Sequence, residues 1–194
     1  MVCSVVTVSG TPGSGKTEIA KKLAAWLKER ECDKYQYFSP DEFRKEQMLS
    51  RRMDTGIRGP EEMSVERQNR YADDHMTYLM KTGRVVLDGI YSAVFCYIHN
   101  IDGFHVYLDA PPELRSRRLR ERDKKPHSVE DVLQQEETES NAGKRMYSID
   151  YRFPALYDAI LDTGRLPPEK TLKTLLSGMR IRCGTPSRRA VEVY

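Results

Sequence analysis

Gly10-Thr11-Pro12-Gly13-Ser14-Gly15-Lys16-Thr17 is the stretch on which the fold turns. It satisfies the pattern G-x-x-x-x-G-K-[ST] at every position. Val2 to Val8, just before it, is rich in β-branched residues and reads as a buried strand. Just after it, Ile19, Leu23, Trp26 and Leu27 recur at helical spacing, which predicts an amphipathic helix from Lys16 to Arg30. Trp26 shares the apolar face of that helix and so reads as core, not as a platform for a ligand. A strand, a glycine-rich loop and a helix in this order turn backbone N–H groups inward at the positive end of the helix dipole, where phosphate is held. Lys16 can bridge the β- and γ-phosphates of a nucleotide, and Thr17 can hold Mg²⁺. The unit therefore predicts ATP with Mg²⁺, bound by Gly10, Thr11, Pro12, Gly13, Ser14, Gly15, Lys16 and Thr17.

Further strands follow at intervals. They are Tyr35 to Phe38, Val85-Val86-Leu87-Asp88-Gly89, Phe104 to Asp109, and Ala159 to Asp162. Helical patterns alternate with them. The expectation is an α/β fold, a P-loop NTPase-type parallel β-sheet flanked by helices. Ligands of open α/β sheets bind outside the carboxyl ends of strands, so Asp88 is the expected acid beside the metal. Asp109 also ends a strand but reads as a helix cap ahead of Pro111 and Pro112. Pro40 to Thr82 is polar and helix-rich, with a helix start at Gly59-Pro60-Glu61-Glu62 and a stop at Gly83. Pro111 to Lys125 reads as an arginine-rich helix. Ser128 and Asp131 form a capping box that opens a helix running to about Tyr147. Pro167 to Met179 is the last predicted helix, and the chain beyond it is basic and unpatterned.

The 194 residues fit one domain with room for inserted parts. Lys plus Arg is 32 and Asp plus Glu is 29, for a net charge of +3. So even a balance gives no case for a general nucleic-acid partner. Charge is instead concentrated locally, with five arginines between Arg115 and Arg122. Cys3, Cys32, Cys96 and Cys183 are too scattered for a metal pair or redox motif and read as packing thiols and surface accidents. No run approaches the roughly 20 apolar residues of a membrane span. The first residues lack the charged and apolar regions of a signal peptide. A cytoplasmic protein is expected. Oligomeric state is not legible.

The order of the P-loop, Ser39-Pro40-Asp41-Glu42-Phe43-Arg44, Leu87-Asp88-Gly89, Tyr107-Leu108-Asp109-Ala110-Pro111 and Leu161-Asp162-Thr163-Gly164 resembles the nucleoside monophosphate kinases. Met146-Tyr147-Ser148-Ile149-Asp150, followed by Leu156-Tyr157-Asp158, is most similar to archaeal-type cytidylate kinases, with adenylate kinase as a relative. The resemblance covers about Val2 to Met179. It implies a single kinase domain over 1–179. Its core would comprise 1–39, 83–123 and 148–179, with an acceptor-binding insert over 40–82 and a lid over 124–147. A basic tail over 180–194, with Arg180, Arg182, Arg188 and Arg189, lies beyond it. It also implies that Ser39, Asp41 and Arg44 bind the acceptor, with Arg44 on the acceptor phosphate. Arg118 and Arg122, spaced i, i+4 on one helix face, would serve the ATP base and phosphates. Gly164 would lie against the ATP base. Lys16, Arg118, Arg122 and Asp88 would form the catalytic set. The chain departs from the family in two places. No arginine follows Gly89, where Ile90 and Tyr91 stand, and Arg44, Arg58, Arg67, Arg70 and Arg84 are the candidates to stand in on the acceptor phosphate. The first lid arginine is replaced, at Gln135 or Glu137, leaving Lys144 and Arg145 as lid cations.

The implied activity is ATP:nucleoside monophosphate phosphotransfer, with CMP or dCMP as the small-molecule acceptor. A phosphate acceptor is already an anionic nucleophile and needs cations, not a base. A hydroxyl acceptor would need a carboxylate, and Asp41 is the candidate. Two other readings stay open: an adenylate kinase-like AMP kinase, and an ATP-binding switch with little transferase activity.

Overall fold

All six residues of β1 (Val5–Gly10) are buried, which a strand achieves only at the centre of a covered sheet. The computed structural model describes residues 3–31, 34–46 and 65–184, without the side chains of 65–71, 183 and 184. In it β1 lies between β3 (Arg84–Asp88) and β4 (Phe104–Asp109). β2 (Tyr35–Phe38) pairs outside β3 and β5 (Ala159–Asp162) outside β4, so the order is β2-β3-β1-β4-β5. Every pairing is parallel. The switch in strand order beside β1 opens a crevice at the carboxyl ends, and the phosphate-loop sequence begins there.

Alternation along the strands supplies two apolar faces. Val6, Val8, Val86, Val106 and Leu108 pack under α1 (Lys16–Arg30) and α7 (Pro168–Gly184), against Ile19, Leu23, Leu27, Leu175 and Met179. Val5, Val85 and Leu87 face the opposite way. They meet Met76, Leu79 and Met80 of α3 (Val65–Thr82) and Phe95 and Cys96 of α4 (Ser92–Ile98). A helix α2 precedes α3, and its described part is residues 40–46. The remaining helices are α5 (Pro112–Asp123) and α6 (Val129–Tyr147). Ser128 caps α6 by accepting from the Asp131 amide, and the Asp131 carboxylate accepts from the Ser128 amide. Trp26 is half-buried against the α1 core, with the Arg180 guanidinium over its ring.

Several boundaries differ from expectation. β1 runs two residues past Val8 because Ser9 and Gly10 pair with Tyr107 and Leu108. α4 was not foreseen, since its seven residues are mostly buried and show no polar face. α7 continues to Gly184 because Arg182 anchors its last turn, donating to Asp158 at 3.1 Å and to Asp102 at 2.9 Å. Cys96 is a buried free thiol whose pKa burial pushes up to about 12. Cys3 is disulfide-bonded, against the reading of all four cysteines as packing thiols and surface accidents. Arg58, the helix start at Gly59, Cys32, Arg188 and Arg189 lie outside the described residues. No helix among the described residues is long and apolar enough to cross a membrane.

Leu23 is completely buried between α1 and the sheet. Leu23→Ala should cost about 2–5 kcal/mol, the transfer term plus the cavity left behind. Urea unfolding followed by the fluorescence of the single tryptophan, Trp26, would measure it. A loss below about 1 kcal/mol would mean that α1 does not cover the sheet as described.

Candidate active site

The phosphate loop leaves the sheet where a side chain has no room. A Cβ on Gly10 would stand 2.0 Å from the Leu108 carbonyl oxygen, and the Thr11 amide donates to that same oxygen at 3.3 Å. At Gly13 φ is +78°, and a Cβ would meet the Arg115 carbonyl oxygen at 2.9 Å. Gly15 caps α1 with no side chain satisfying the first-turn amides. These orphaned donors at the positive helix end are what a phosphate satisfies. Outside the loop, three carbonyls are held by side chains. Arg115 Nη1 donates to Pro12 O at 3.5 Å, Arg118 Nη1 to Gly13 O at 3.3 Å, and Thr163 Oγ1 to Ser14 O at 2.8 Å. Thr11 Oγ1 donates to Asp109 Oδ1 at 2.8 Å. Asp109 is thus a brace for the loop and not the helix cap expected from sequence; Pro111 holds the cap position of α5.

Lys16 is half-buried, and its Nζ donates to Thr11 O at 3.0 Å. Burial lowers its pKa, while the charges of Asp88, Glu139 and Asp41 act to raise it. Asp88 ends β3 with its carboxylate accepting from Tyr37 Oη at 2.9 Å and from the Thr17 hydroxyl. Burial raises the Asp88 pKa, and the hydrogen bonds from Thr17 and Tyr37 with the Lys16 charge only partly offset that. Glu139 comes from α6. Burial raises its carboxyl too; Oε1 accepts from Gln135 Nε2 at 2.9 Å, and Oε2 is buried without a hydrogen-bond partner. Sequence reading missed Glu139 because it lies more than a hundred residues from Lys16 and carries no motif.

Two cavities open on this centre. One of 560 Å³ is lined by Gly13 to Ile19 of the loop and α1, with Arg118, Arg122, Thr163 and Leu166 among its other walls. The second, 200 Å³, is lined by residues including Asp41, Arg44, Asp73, Tyr91, Ser92 and Tyr147. Lys16 lines the first cavity and also feels the charge of Asp41 in the second. Ser14 Oγ and Ser92 Oγ, one in each wall, are buried without partners.

The expected residues divide. Gly13, Ser14, Gly15, Lys16, Thr17, Arg118 and Arg122 share the larger cavity, and Asp41 and Arg44 share the smaller. Gly10, Thr11 and Pro12, which open the loop, are not lining residues. Asp88 reaches the centre through Thr17. Arg118 is engaged with Gly13 and Thr163, donating to Thr163 O at 2.9 Å. Arg122 pairs with Asp123 at 2.6 Å. Arg44 is ion-paired with Asp41. Ser39 starts α2, accepting from the Glu42 amide at 3.4 Å. Gly164 is exposed against Pro111 and outside the lining residues, although its neighbour Thr163 is inside them. Ile90 and Tyr91, which stand where the family carries an arginine, line the smaller cavity, and Tyr91 Oη donates to Glu139 O at 2.6 Å. Lys144 is paired with Asp150 at 3.1 Å. Arg67 and Arg70 lie outside the described side chains.

A phosphate loop at the switch point of a β2-β3-β1-β4-β5 parallel sheet, with an acid ending the neighbouring strand, defines a P-loop kinase. The AAA domain family matches residues 6–142. A cytidylate kinase of Pyrobaculum arsenaticum is 31% identical over 84% of this chain and 85% of its own length. One of Ignicoccus hospitalis is 27% identical over 89% of this chain and 96% of its own. A gluconokinase structure from Sinorhizobium meliloti superposes with a TM-score of 0.61 over 93% of each chain at 16% identity, a likeness of fold. The chain belongs to the AAA domain family and to the archaeal cytidylate kinases, and is a nucleoside monophosphate kinase.

Raising the folded pKa of Asp88 has a stability consequence. An unfolded aspartate titrates near 3.9. The folded carboxyl holds its proton to higher pH, so the buried charge lowers stability increasingly as pH rises from below that value through the folded pKa. Asp88→Asn removes this charge and should unfold at higher urea than wild type at neutral pH. The gap should shrink as the pH is taken down to about 3. Equal midpoints at neutral pH would show that burial does not dominate the carboxyl.

Proposed function

We propose that this kinase transfers the γ-phosphoryl group of ATP to a pyrimidine nucleoside monophosphate, CMP or dCMP, in the presence of Mg²⁺. The observation that carries the reading is the pair of cavities on either side of the Lys16 charge, one walled by the phosphate loop and Lys16 and the other by Arg44 and Asp41, whose charge acts on Lys16. ATP would occupy the larger cavity, with its phosphates on the loop amides and Lys16. The acceptor would occupy the smaller, with its phosphate toward Arg44. The cytidylate preference comes from the relatives, whose names specify that activity.

The residues present fit a metal. Magnesium keeps several waters and needs only one or two protein ligands beside substrate phosphates. Thr17 and Asp88 are hydrogen-bonded neighbours and supply such a pair. Among the described residues no cluster of three or more His, Cys, Asp or Glu forms a self-sufficient metal cage. Bound Mg²⁺ would neutralise phosphate charge that Lys16 alone cannot. Lys16 would follow the migrating phosphoryl group, its lowered pKa lifted back by the anion. Arg122 would turn from Asp123 toward the nucleotide. Arg44 would exchange its ion pair with Asp41 for the acceptor phosphate, an anion it can grip bidentately. The Asp41 carboxylate is engaged by the Arg44 guanidinium, so the arrangement favours a phosphate acceptor over a hydroxyl. The same reading divides the chain into a core, an acceptor insert over 40–82 and a lid over 124–147 whose closure would exclude water.

Incubation of ATP and Mg²⁺ with CMP, dCMP, UMP and AMP in turn should yield the diphosphate of the cytidine nucleotides, with AMP a poor substrate. Lys16→Ala should lower kcat at least about a hundredfold. Arg44→Ala should raise the acceptor KM sharply and leave ATP affinity little changed. Consumption of AMP with CMP, dCMP and UMP all inert would replace the cytidylate reading with an adenylate one. A fully active Lys16→Ala protein would end the mechanism.

A further inference from the structure

Arg115 is the most buried charged side chain near the phosphate loop, with 3% of its side chain exposed. A guanidinium in that position is costly unless its donors are filled. Nε donates to Ala110 O at 2.9 Å, Nη1 to Pro12 O at 3.5 Å and Nη2 to Glu136 Oε2 at 2.9 Å. The first partner is local. The second belongs to the phosphate loop and the third to α6. Contact with the loop is also steric, because Gly13 packs directly on the Arg115 backbone and Cβ.

Glu136 is itself 15% exposed, and it accepts from a second guanidinium, Arg152 Nη1, at 3.4 Å. Arg152 is tied in turn to Asp150 at 3.0 Å and to the buried Ser140 Oγ at 2.7 Å. One carboxylate thus fastens α6 to α5 and to the segment that follows α6. Glu136 lines neither cavity.

Peptide geometry says what the contact at Pro12 does. The chain has no cis peptide among its described residues, and a planar trans unit points its C=O and N–H in opposite directions. Holding Pro12 O outward on Arg115 aims the Gly13 N–H the other way, toward the phosphate side. Holding Ser14 O on Thr163 does the same for Gly15 N–H. The outer donors therefore shape the inner ones.

We propose that Arg115 and Glu136 are positioning residues for nucleotide binding: their ion pair holds the phosphate loop in its binding shape and makes that shape depend on the seating of α6. The inference rests on the reading that the loop receives ATP phosphates. Nucleotide affinity and the docking of α6 are then one coupled equilibrium, and the coupling is reciprocal. Nucleotide stabilises the seated helix, and a loosened helix weakens nucleotide.

Two measurements test this with no acceptor present: ATP·Mg²⁺ affinity by calorimetry, and hydrogen exchange over 129–147 with and without ATP. Wild type, Glu136→Gln, Arg115→Lys and the double variant are compared, each checked for fold by circular dichroism. Glu136→Gln keeps the shape and drops the charge. It should weaken ATP by about fivefold or more, and ATP should no longer slow exchange in α6. The double variant should lose little more than either single one, because both remove the same contact. A folded Glu136→Gln protein that binds ATP as tightly as wild type, or whose α6 is still protected by ATP as in wild type, would overturn the proposal. A purely structural pair would give that result, with only the melting temperature lowered. Wild-type protein that binds no ATP would instead remove the proposed function, and this inference with it.

Discussion

The crowding of the Gly10–Thr17 turn against β4 is the constraint from which the rest of the site follows. Gly10 sits where a Cβ would strike the Leu108 carbonyl at 2.0 Å, so the chain passes from β1 to the loop in direct backbone contact with its neighbour strand. That contact brings Thr11 to Asp109 and, one turn on, Gly13 to Arg115. The loop cannot relax outward without breaking all three. Its amides are consequently presented at the N-terminus of α1, and α1 is held by a fully buried face of Ile19, Leu23 and Leu27 against the sheet. The hydrophobic core thus acts on function through one turn of backbone.

Charge is arranged around that turn in two rings. The inner ring holds Lys16, Asp88 and Glu139, all partly desolvated, with the charge of the exposed Asp41 acting on each of them. Lys16, Asp88 and Glu139 are each moved by burial away from the charged form, which is the expected condition of a site awaiting polyanionic ligands. In the outer ring, Arg115, Arg118 and Thr163 grip carbonyls, and Glu136, Arg152 and Asp150 tie α6 to that grip. Burial opposes the Asp150 charge, yet hydrogen bonds from Arg152, Lys144 and Ser140 hold its carboxyl well below the usual range. The Asp150–Arg152 pair therefore stays ionised while the inner ring is poised to change partners.

Much of the scaffold was legible because its signals are local. β4 and β5 fall on the residues read as strands, α1 falls on Lys16–Arg30, and the Ser128–Asp131 box opens α6. The unforeseen parts depend on partners far away in sequence. α4 is a short apolar segment whose helical state is decided by what covers it. The extension of α7 rests on Arg182 reaching Asp102, 80 residues away. Arg115 looked like one arginine among five, and only its burial and its contact with Pro12, 103 residues away, set it apart. Asp109 was misread for the same reason: its partner Thr11 is 98 residues away, whereas the prolines that suggested a cap are adjacent. The acceptor side was the least legible, since Asp73, Ser92 and Tyr147 carry no motif and meet only in the folded cavity.

Nucleotide phosphates are held, on this mechanism, by the inward amides of the loop. Amide resonances of ¹⁵N-labelled protein report this directly. On addition of ATP with Mg²⁺, the Gly13 and Gly15 N–H resonances should move strongly downfield, as donors to phosphate do, while amides of β5 stay in place. Binding of ATP that leaves the Gly13 and Gly15 resonances unmoved would contradict the account.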